Sequence, residues 1–271
     1  MCARKYPVSR SDPKTKKILL SVAGFDPSSG AGVTLDLKVF HKYGFYGMGI
    51  LTSLTSQNTQ KIKHIHCPSS RFLLEQYRLL RDEVEFSGIK VGMIGCEDNI
   101  GVIEEILSDN SNLPIVIDPV FRSGGGKWLV EKKSIPSYIA KIRGGASLLT
   151  PNLYEAGWIS GRKVAGLEEM HACAEKIFDL TSIPCLIKGG HLPDQNVDIL
   201  FTGRDFFRFE NEKLDQAVHG TGCFLSSSIL CHLANGSSLV QAASLAIEAT
   251  HEAMKGALKL GKGQLIFSLL P

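Results

Sequence analysis

Short apolar runs alternate with amphipathic stretches along almost the whole of this sequence, and no other feature constrains the fold as tightly. Residues 18–25 (ILLSVAGF) form a buried-strand run. A Pro/Ser/Gly turn follows, then an amphipathic stretch over 32–43 with Val33, Leu37 and Phe40 at helical spacing. A strand is predicted near 46–56, and Pro68 opens a helix carrying Phe72, Leu73, Tyr77 and Leu80. Further apolar runs at 89–95, 115–120, 148–152 and 185–189 are separated by helical segments at 98–108, 134–142 and 166–181. Residues 197–209 predict two strands joined by a Gly turn, and 222–234 and 238–259 predict closing helices. Strand-then-helix order implies right-handed βαβ units, hence an α/β fold whose mostly parallel sheet is covered on both faces. No linker or repeat interrupts 18–271, which predicts one domain behind a loose basic arm at 1–17.

Charge narrows the function. The 271 residues hold 30 Lys+Arg and 27 Asp+Glu, a net +3. Residues 1–17 carry six of the basic groups (Arg4, Lys5, Arg10, Lys14, Lys16, Lys17) against Asp12 alone, so the remaining body stands at −2. A nucleic-acid-binding body would be clearly basic on one face, which argues against that class. No stretch approaches the 18 or so apolar residues of a membrane-spanning helix, and the N-terminal basic residues precede no signal-type apolar region. Seven cysteines without a C-x-x-C pair predict scattered thiols in a reducing cytoplasm.

In a parallel α/β sheet the ligand sits at the carboxyl ends of the strands, and polar residues gather there. The first run leads into Gly24-Phe25-Asp26-Pro27-Ser28-Ser29-Gly30-Ala31-Gly32, which lacks dinucleotide-fingerprint spacing. Other runs end in Asp118-Pro119-Val120, in Thr150-Pro151-Asn152 with Glu155 beyond, and in Lys188-Gly189-Gly190-His191. Asp118, Glu155 and Asn152 can hold Mg²⁺ through oxygen ligands and water. Lys188 and glycine amides such as that of Gly189 can cradle phosphates. His219-Gly220-Thr221-Gly222-Cys223 opens an apolar helix, so the 220–223 amides form an anion site. The same positive field is expected to lower the Cys223 pKa towards neutrality.

Two weaker patterns are set aside. Residues 256–263 nearly spell a P-loop, but Gly263 stands where Ser or Thr must bind Mg²⁺ and the segment ends a helix. His64 and His66 lie on an extended segment without further ligands nearby, which predicts a surface loop. His171 and His251 fall in helices and are expected to face solvent or be satisfied.

Eight short motifs in order resemble one family. They are A-G-F-D-P-S-S-G-A-G at 23–32, D-L-K at 36–38, S-Q-N-T at 56–59, K-V-G-M at 90–93, D-P-V at 118–120, T-P-N-L-Y-E-A at 150–156, K-G-G-H at 188–191 and H-G-T-G-C at 219–223. Together they resemble the hydroxymethylpyrimidine/phosphomethylpyrimidine kinases of thiamine biosynthesis, with pyridoxal kinases as cousins. The resemblance implies a ribokinase-like three-layer α/β/α sandwich without a large separate lid, usually homodimeric. It places Asp36, Gln57, Met93 and Val120 in a pyrimidine pocket with Gly24 nearby. Asp118, Asn152 and Glu155 fall to Mg²⁺ and phosphate, and Thr150, Lys188, Asp198 and Thr221 to ATP. Flat heteroaromatics need apolar contact on their faces and an amide at their edge nitrogens, which Met93, Val120 and Gln57 supply.

The implied chemistry is phosphoryl transfer, dominated by positioning and charge stabilisation. The γ-phosphoryl would lie over the 220–223 amides beside Lys188, with Cys223 taking the proton of the substrate alcohol in place of the sugar kinases' Asp. Three departures stand out. Ser29 replaces a common glycine, Gln216 a common Lys, and 261–265 lacks the usual His-Gly-Pro. Two alternatives remain, a pyridoxal kinase on the same fold and a catalytically silent pyrimidine-binding regulator. The second requires loss of Cys223, Lys188 or the Asn152/Glu155 pair, and all are present.

Overall fold

The computed structural model describes residues 16–190, 196–214 and 216–269. Most of the predicted arm, and His191, lie outside the described residues. The elements run β1 (Ile18–Phe25), α1 (Gly32–Lys42), β2 (Tyr46–Gln57), β3 (Ile62–His66), α2 (Ser70–Arg81), β4 (Gly88–Val91) and α3 (Ile100–Asp109). There follow β5 (Ile115–Ile117), α4 (Ile135–Lys141), β6 (Leu148–Leu149), α5 (Leu153–Ser160), α6 (Leu167–Thr181), β7 (Cys185–Ile187), β8 (Val197–Phe201) and β9 (Phe206–Glu210). Last come β10 (Val218–His219), α7 (Thr221–Ala234), α8 (Leu239–Lys255) and β11 (Leu265–Ile266).

Nine strands form one sheet in the order β3-β2-β1-β4-β5-β6-β7-β8-β9. The six central strands pair in parallel, and the edges (β3 on β2, β8 and β9 beyond β7) are antiparallel. The short central strands are apolar throughout because both faces are covered. One core joins Leu20, Val22, Val91, Ile117 and Ile187 to Leu73, Tyr77, Ile103, Tyr138 and Ile177. The other joins Leu19, Val116, Leu148 and Leu186 to Phe40, Phe224, Ile229 and Ala246. The result is the expected three-layer α/β/α sandwich.

Three local expectations change. His64 and His66, read as a surface loop, belong to edge strand β3, which pairs antiparallel with the end of β2 through a register shift at Ser56/Gln57. That irregularity spaces the half-buried Ile62 and Ile65 three apart and hides the strand period. The last long helix stops at Lys255, with Gly256 at its C-cap, and not at 259. Strands β10 and β11 form a second, two-stranded parallel sheet that periodicity did not signal. His251 and His171 are satisfied as expected, on Glu212 O at 3.0 Å and against the Phe206 ring at 4.6 Å. No described helix is long and apolar enough to cross a membrane.

Candidate functional site

Glycines bring the loop after β1 and the start of α7 into contact. Gly220 caps α7 at φ +84°, and a Cβ there would lie 2.0 Å from Gly30 O. Gly32 (φ +63°) packs as closely, with Gly24 O 2.1 Å from its virtual Cβ. No other residue type fits at either place. A Cβ on Gly222 would meet Lys188 Nζ at 3.0 Å and Asp118 Oδ2 at 3.2 Å, so the first turn of α7 faces those two side chains. The amides of that turn have no acceptor within the helix and carry the positive end of its dipole. The Thr221 hydroxyl donates to Val218 O at 2.9 Å, securing the turn from behind.

Lys188 follows β7 directly and donates to Asp118 Oδ1 at 2.7 Å, and Thr150 Oγ1 donates to the same oxygen at 3.2 Å. Burial works against the ammonium, but Asp118 and Glu155 outweigh it and hold the Lys188 pKa above its ordinary value. Glu155 is 2% exposed. Burial, reinforced by the charge of Asp118, pushes its carboxyl up to about 8, against the opposing pull of Lys188. Asn152 and Glu155 form a reciprocal capping box on α5: Glu155 N donates to Asn152 Oδ1 at 2.9 Å and Asn152 N to Glu155 Oε2 at 2.8 Å. The motif read as a metal pair therefore also builds the helix start. Among the described residues no group of three His, Cys, Asp or Glu side chains forms a metal cage. The donor set, two carboxylates crowded around one ammonium, suits a Mg²⁺ held by one or two carboxylates plus phosphate oxygens and water.

On the acceptor side, Gly24, Ser53 and Met93 meet: a Cβ on Gly24 would lie 2.8 Å from Ser53 Oγ and 3.0 Å from Met93 Sδ. Met93 and Val120 are half-buried, as is Gln57, whose amide lies 3.1 Å from His219 Nε2. Two expected ligands do not reach the pocket. Asp36 is fully buried, with Lys90 on both oxygens at 2.9 Å, Ser21 Oγ on Oδ2 at 2.6 Å and Ser227 Oγ on Oδ1 at 2.9 Å. It braces the pocket from within. Thr150 is likewise fully buried, its hydroxyl turned to Ile117 O and Asp118, so it presents no side-chain group to a ligand directly. Gly189 packs against Val197 O, where a Cβ would sit 1.8 Å away, and its N–H donates to Asp198 Oδ1 at 2.8 Å. Burial raises Asp198 to about 6.

The expectation for Cys223 is corrected. Burial pushes the thiol up to about 11, with Asp36 and Asp118 adding to it, while Lys90 and the Gly32 N–H pull down. Desolvation outweighs the helix field, so the half-buried thiol is protonated at neutral pH. Of the three departures, Ser29 stands at φ +55°, a left-handed conformation that favours glycine, so the exchange strains the loop. Gln216 donates to Met254 O and lines a cavity of about 610 Å³ with Thr59, Gly124, Gly125, Lys259 and Gln264. Gly261 and Gly263 pack on Thr59, whose carbonyl oxygen would lie 1.7 Å from a Cβ on Gly263. Lys90, Asp26 and His219 were quoted in the motifs but given no role. What marked Lys90 was a charge inside an otherwise apolar run, whereas Asp26 and His219 lie in polar, Gly-rich motifs that gave no such signal.

A family model for phosphomethylpyrimidine kinase matches residues 26–268. The chain is 36% identical over 248 residues to a hydroxymethylpyrimidine/phosphomethylpyrimidine kinase of Aquifex aeolicus, spanning 91% of this chain and 97% of that one. It is 38% identical over 244 residues to the enzyme of the same name from Staphylococcus aureus (strain Mu50), spanning 88% and 86%. Among solved structures it resembles a Staphylococcus aureus pyridoxal kinase in complex with AMP-PCP, with TM-score 0.85, 28% identity and 93% of both chains covered. It also resembles a Clostridium difficile phosphomethylpyrimidine kinase, with TM-score 0.77, 32% identity, and 88% of this chain and 100% of that one covered. With its ribokinase-like fold, and with every strand but β1 inside the matched region, this chain is a phosphotransferase that belongs to the phosphomethylpyrimidine kinase family.

Proposed function

We propose that the chain is an ATP-dependent kinase that phosphorylates hydroxymethylpyrimidine and then its monophosphate, in the cytoplasm and as a homodimer. The observation that carries this reading is Lys188, paired to Asp118 and set against Gly222 at the start of α7. A cation and a row of unpaired amides facing one point are what a migrating phosphoryl group requires. Gly220, Thr221 and Gly222 bind its equatorial oxygens, and Lys188 shares the developing charge. Gly189, Asp198 and Asn152 lie towards the nucleotide, with Thr150 behind Asp118. Mg²⁺, entering with the nucleotide, would sit at Asp118 and Glu155 with Asn152 beside them, and would neutralise phosphate charge there. Gly24, Met93 and Val120 enclose the pyrimidine, with Gln57 at its edge.

Cys223 takes the proton of the acceptor alcohol. With its pKa at about 11, the competent thiolate is a minor form at neutral pH. In a loose transition state the alcohol becomes acidic only as its bond to phosphorus forms, so a scarce base can still serve. The second acceptor, a phosphate monoester with a second pKa near ~6, needs no base. Coupled assays with hydroxymethylpyrimidine, its monophosphate and pyridoxal test the proposal. Turnover of the first two supports it, and turnover of none defeats it. Pyridoxal alone would establish the second reading, which the backbone match to a pyridoxal kinase favours.

A further inference from the structure

Asp26, in the loop after β1, and His219, at the end of β10, are separated by most of the chain, and both touch the site just described. His219 Nε2 lies 2.8 Å from Asp26 Oδ2 and 3.1 Å from the amide of Gln57. Asp26 is 4% exposed, and Ser28 donates to its Oδ1 through N (2.8 Å) and Oγ (2.7 Å). Burial raises the Asp26 pKa, but the hydrogen bonds from His219 and Ser28 outweigh it and hold the carboxyl below its ordinary value. Asp26 is therefore an anion, and a carboxylate only accepts, so Nε2 must carry a proton and donate to it. The neutral Nε2–H tautomer and the imidazolium both satisfy this.

That requirement fixes Gln57. An amide with its NH₂ towards His219 would ask Nε2 to accept a hydrogen bond while donating one, which a single ring nitrogen cannot do. It would also ask the one hydroxyl hydrogen of Thr55 to serve both Phe25 O (2.9 Å) and Gln57 Oε1 (3.3 Å). Turning the amide by 180° satisfies every group. Nε2–H is then shared between Asp26 and Gln57 Oε1, Gln57 donates one N–H to Thr55 Oγ1, and Thr55 donates to Phe25 O. One N–H of Gln57 remains for a ligand.

We propose that Asp26 and His219 are a positioning pair that locks Gln57 as a hydrogen-bond donor, so that the site selects acceptors with an unprotonated ring nitrogen. The pair acts through Gln57 and touches no reacting atom, and this inference rests on the function proposed above. Its rigidity comes from packing: the virtual Cβ of Gly30 lies 2.5 Å from His219 Cδ2 and 3.2 Å from Ile266 Cγ2, which clamps the ring in place. The same His219 precedes Gly220, so orienting the acceptor ring and placing the anion site share one anchor.

Two measurements decide it. In ¹⁵N-resolved spectra of the ligand-free full chain, with the His219 signals assigned by their loss in His219→Phe, Nε2 should carry a proton at neutral pH. A bare Nε2 overturns the proposal. In kinetics, wild type should prefer hydroxymethylpyrimidine over an analogue with a ring nitrogen replaced by C–H by about tenfold in kcat/KM. In His219→Phe and Asp26→Leu the acceptor KM should rise and that preference shrink towards unity, with the KM for ATP changed less than about twofold. Unchanged preference in both variants overturns the proposal and leaves a structural staple. If neither variant folds, Asp26→Asn, which keeps an acceptor but removes the charge, should lose part of the preference, and full retention counts against the lock. A wild type that turns over no pyrimidine defeats the function proposed above, and the imidazole spectrum then decides the pair by itself.

Discussion

Two lysine–aspartate pairs lie at the carboxyl edge of the same sheet, and they have opposite uses. Lys90 and Asp36 are both fully buried, and Asp36 is saturated by Lys90, Ser21 and Ser227. Lys188 keeps 16% exposure and Asp118 3%, and they face Gly222, where the absent side chain leaves space. The first ammonium points inward from β4 to α1, and burial's opposition to its charge is overcome by Asp36. The second sits one residue beyond β7, where a single bridge to Asn152 ends the ladder. Identical chemistry thus becomes structure or site according to whether any hydrogen-bonding capacity is left for a ligand.

The comparison predicts two separable phenotypes. Lys90→Met strands a buried carboxylate and should cost about 3–5 kcal/mol, lowering Tm by about 10 °C. Adding Asp36→Leu should recover most of that in thermal or denaturant unfolding, because the desolvated charge leaves with its partner. Lys188→Met also deprives a buried carboxylate, Asp118, of its cation and should lower Tm. The drop should be smaller than for Lys90→Met, because this pair is part-exposed and Thr150 still donates. Its kcat, however, should fall by about 10²–10³-fold, the scale for losing one donor to a developing anion. A Lys90 variant that keeps its Tm and loses turnover would break the distinction.

Cys223 lies in the field of both pairs, since Lys90 pulls its pKa down while Asp36 and Asp118 push it up. Cys223→Ala should reduce phosphorylation of the alcohol by about 10²-fold and leave the monophosphate step within a few-fold. Equal losses in both steps would make Cys223 a packing residue. The pH profile gives the sign independently. The competent form is the thiolate, and below a pKa of about 11 its fraction rises tenfold per pH unit. Wild-type turnover of the alcohol should climb with that slope between pH 7 and 9, while the monophosphate step stays flat. A plateau near neutrality would mean that bound substrate lowers the thiol pKa.

Most of the fold was legible because both-face burial and strand–helix alternation are local properties. Strands β10 and β11 were not, since two residues each carry no period and their pairing joins positions 47 apart. At the carboxyl edge that the sequence pointed to, the structure brings Asp118, Thr150 and Lys188 together, but single groups were misjudged. The family resemblance offered Asp36 as a ligand, and nothing local opposed it because its partner Lys90 lies 54 residues away. The Asn152–Glu155 spacing suits a metal and a capping box equally well, and only coordinates reveal that the box is formed. The Cys223 pKa depended on how deeply a helix start is buried, which no linear pattern reports.

The smallest effects test whether the two pairs differ in their supporting hydroxyls as well. Ser227 Oγ reaches Asp36 at 2.9 Å with both residues fully buried, so Ser227→Ala removes a hydrogen bond to a buried anion and leaves that oxygen relying on Lys90. A loss of about 1.5–2 kcal/mol is expected, with kcat unchanged. Thr150 Oγ1 reaches Asp118 at 3.2 Å and shares its hydrogen with Ile117 O at 3.4 Å, both long contacts. Thr150→Val preserves shape and should cost no more than about 1 kcal/mol. Asp118 then turns more freely towards solvent and nucleotide, so the KM for ATP should move by a few-fold while the KM for the pyrimidine stays put. If Thr150→Val destabilised the protein as much as Ser227→Ala and left ATP binding alone, Asp118 would be as saturated as Asp36, and the strand-end pair would be a second structural brace.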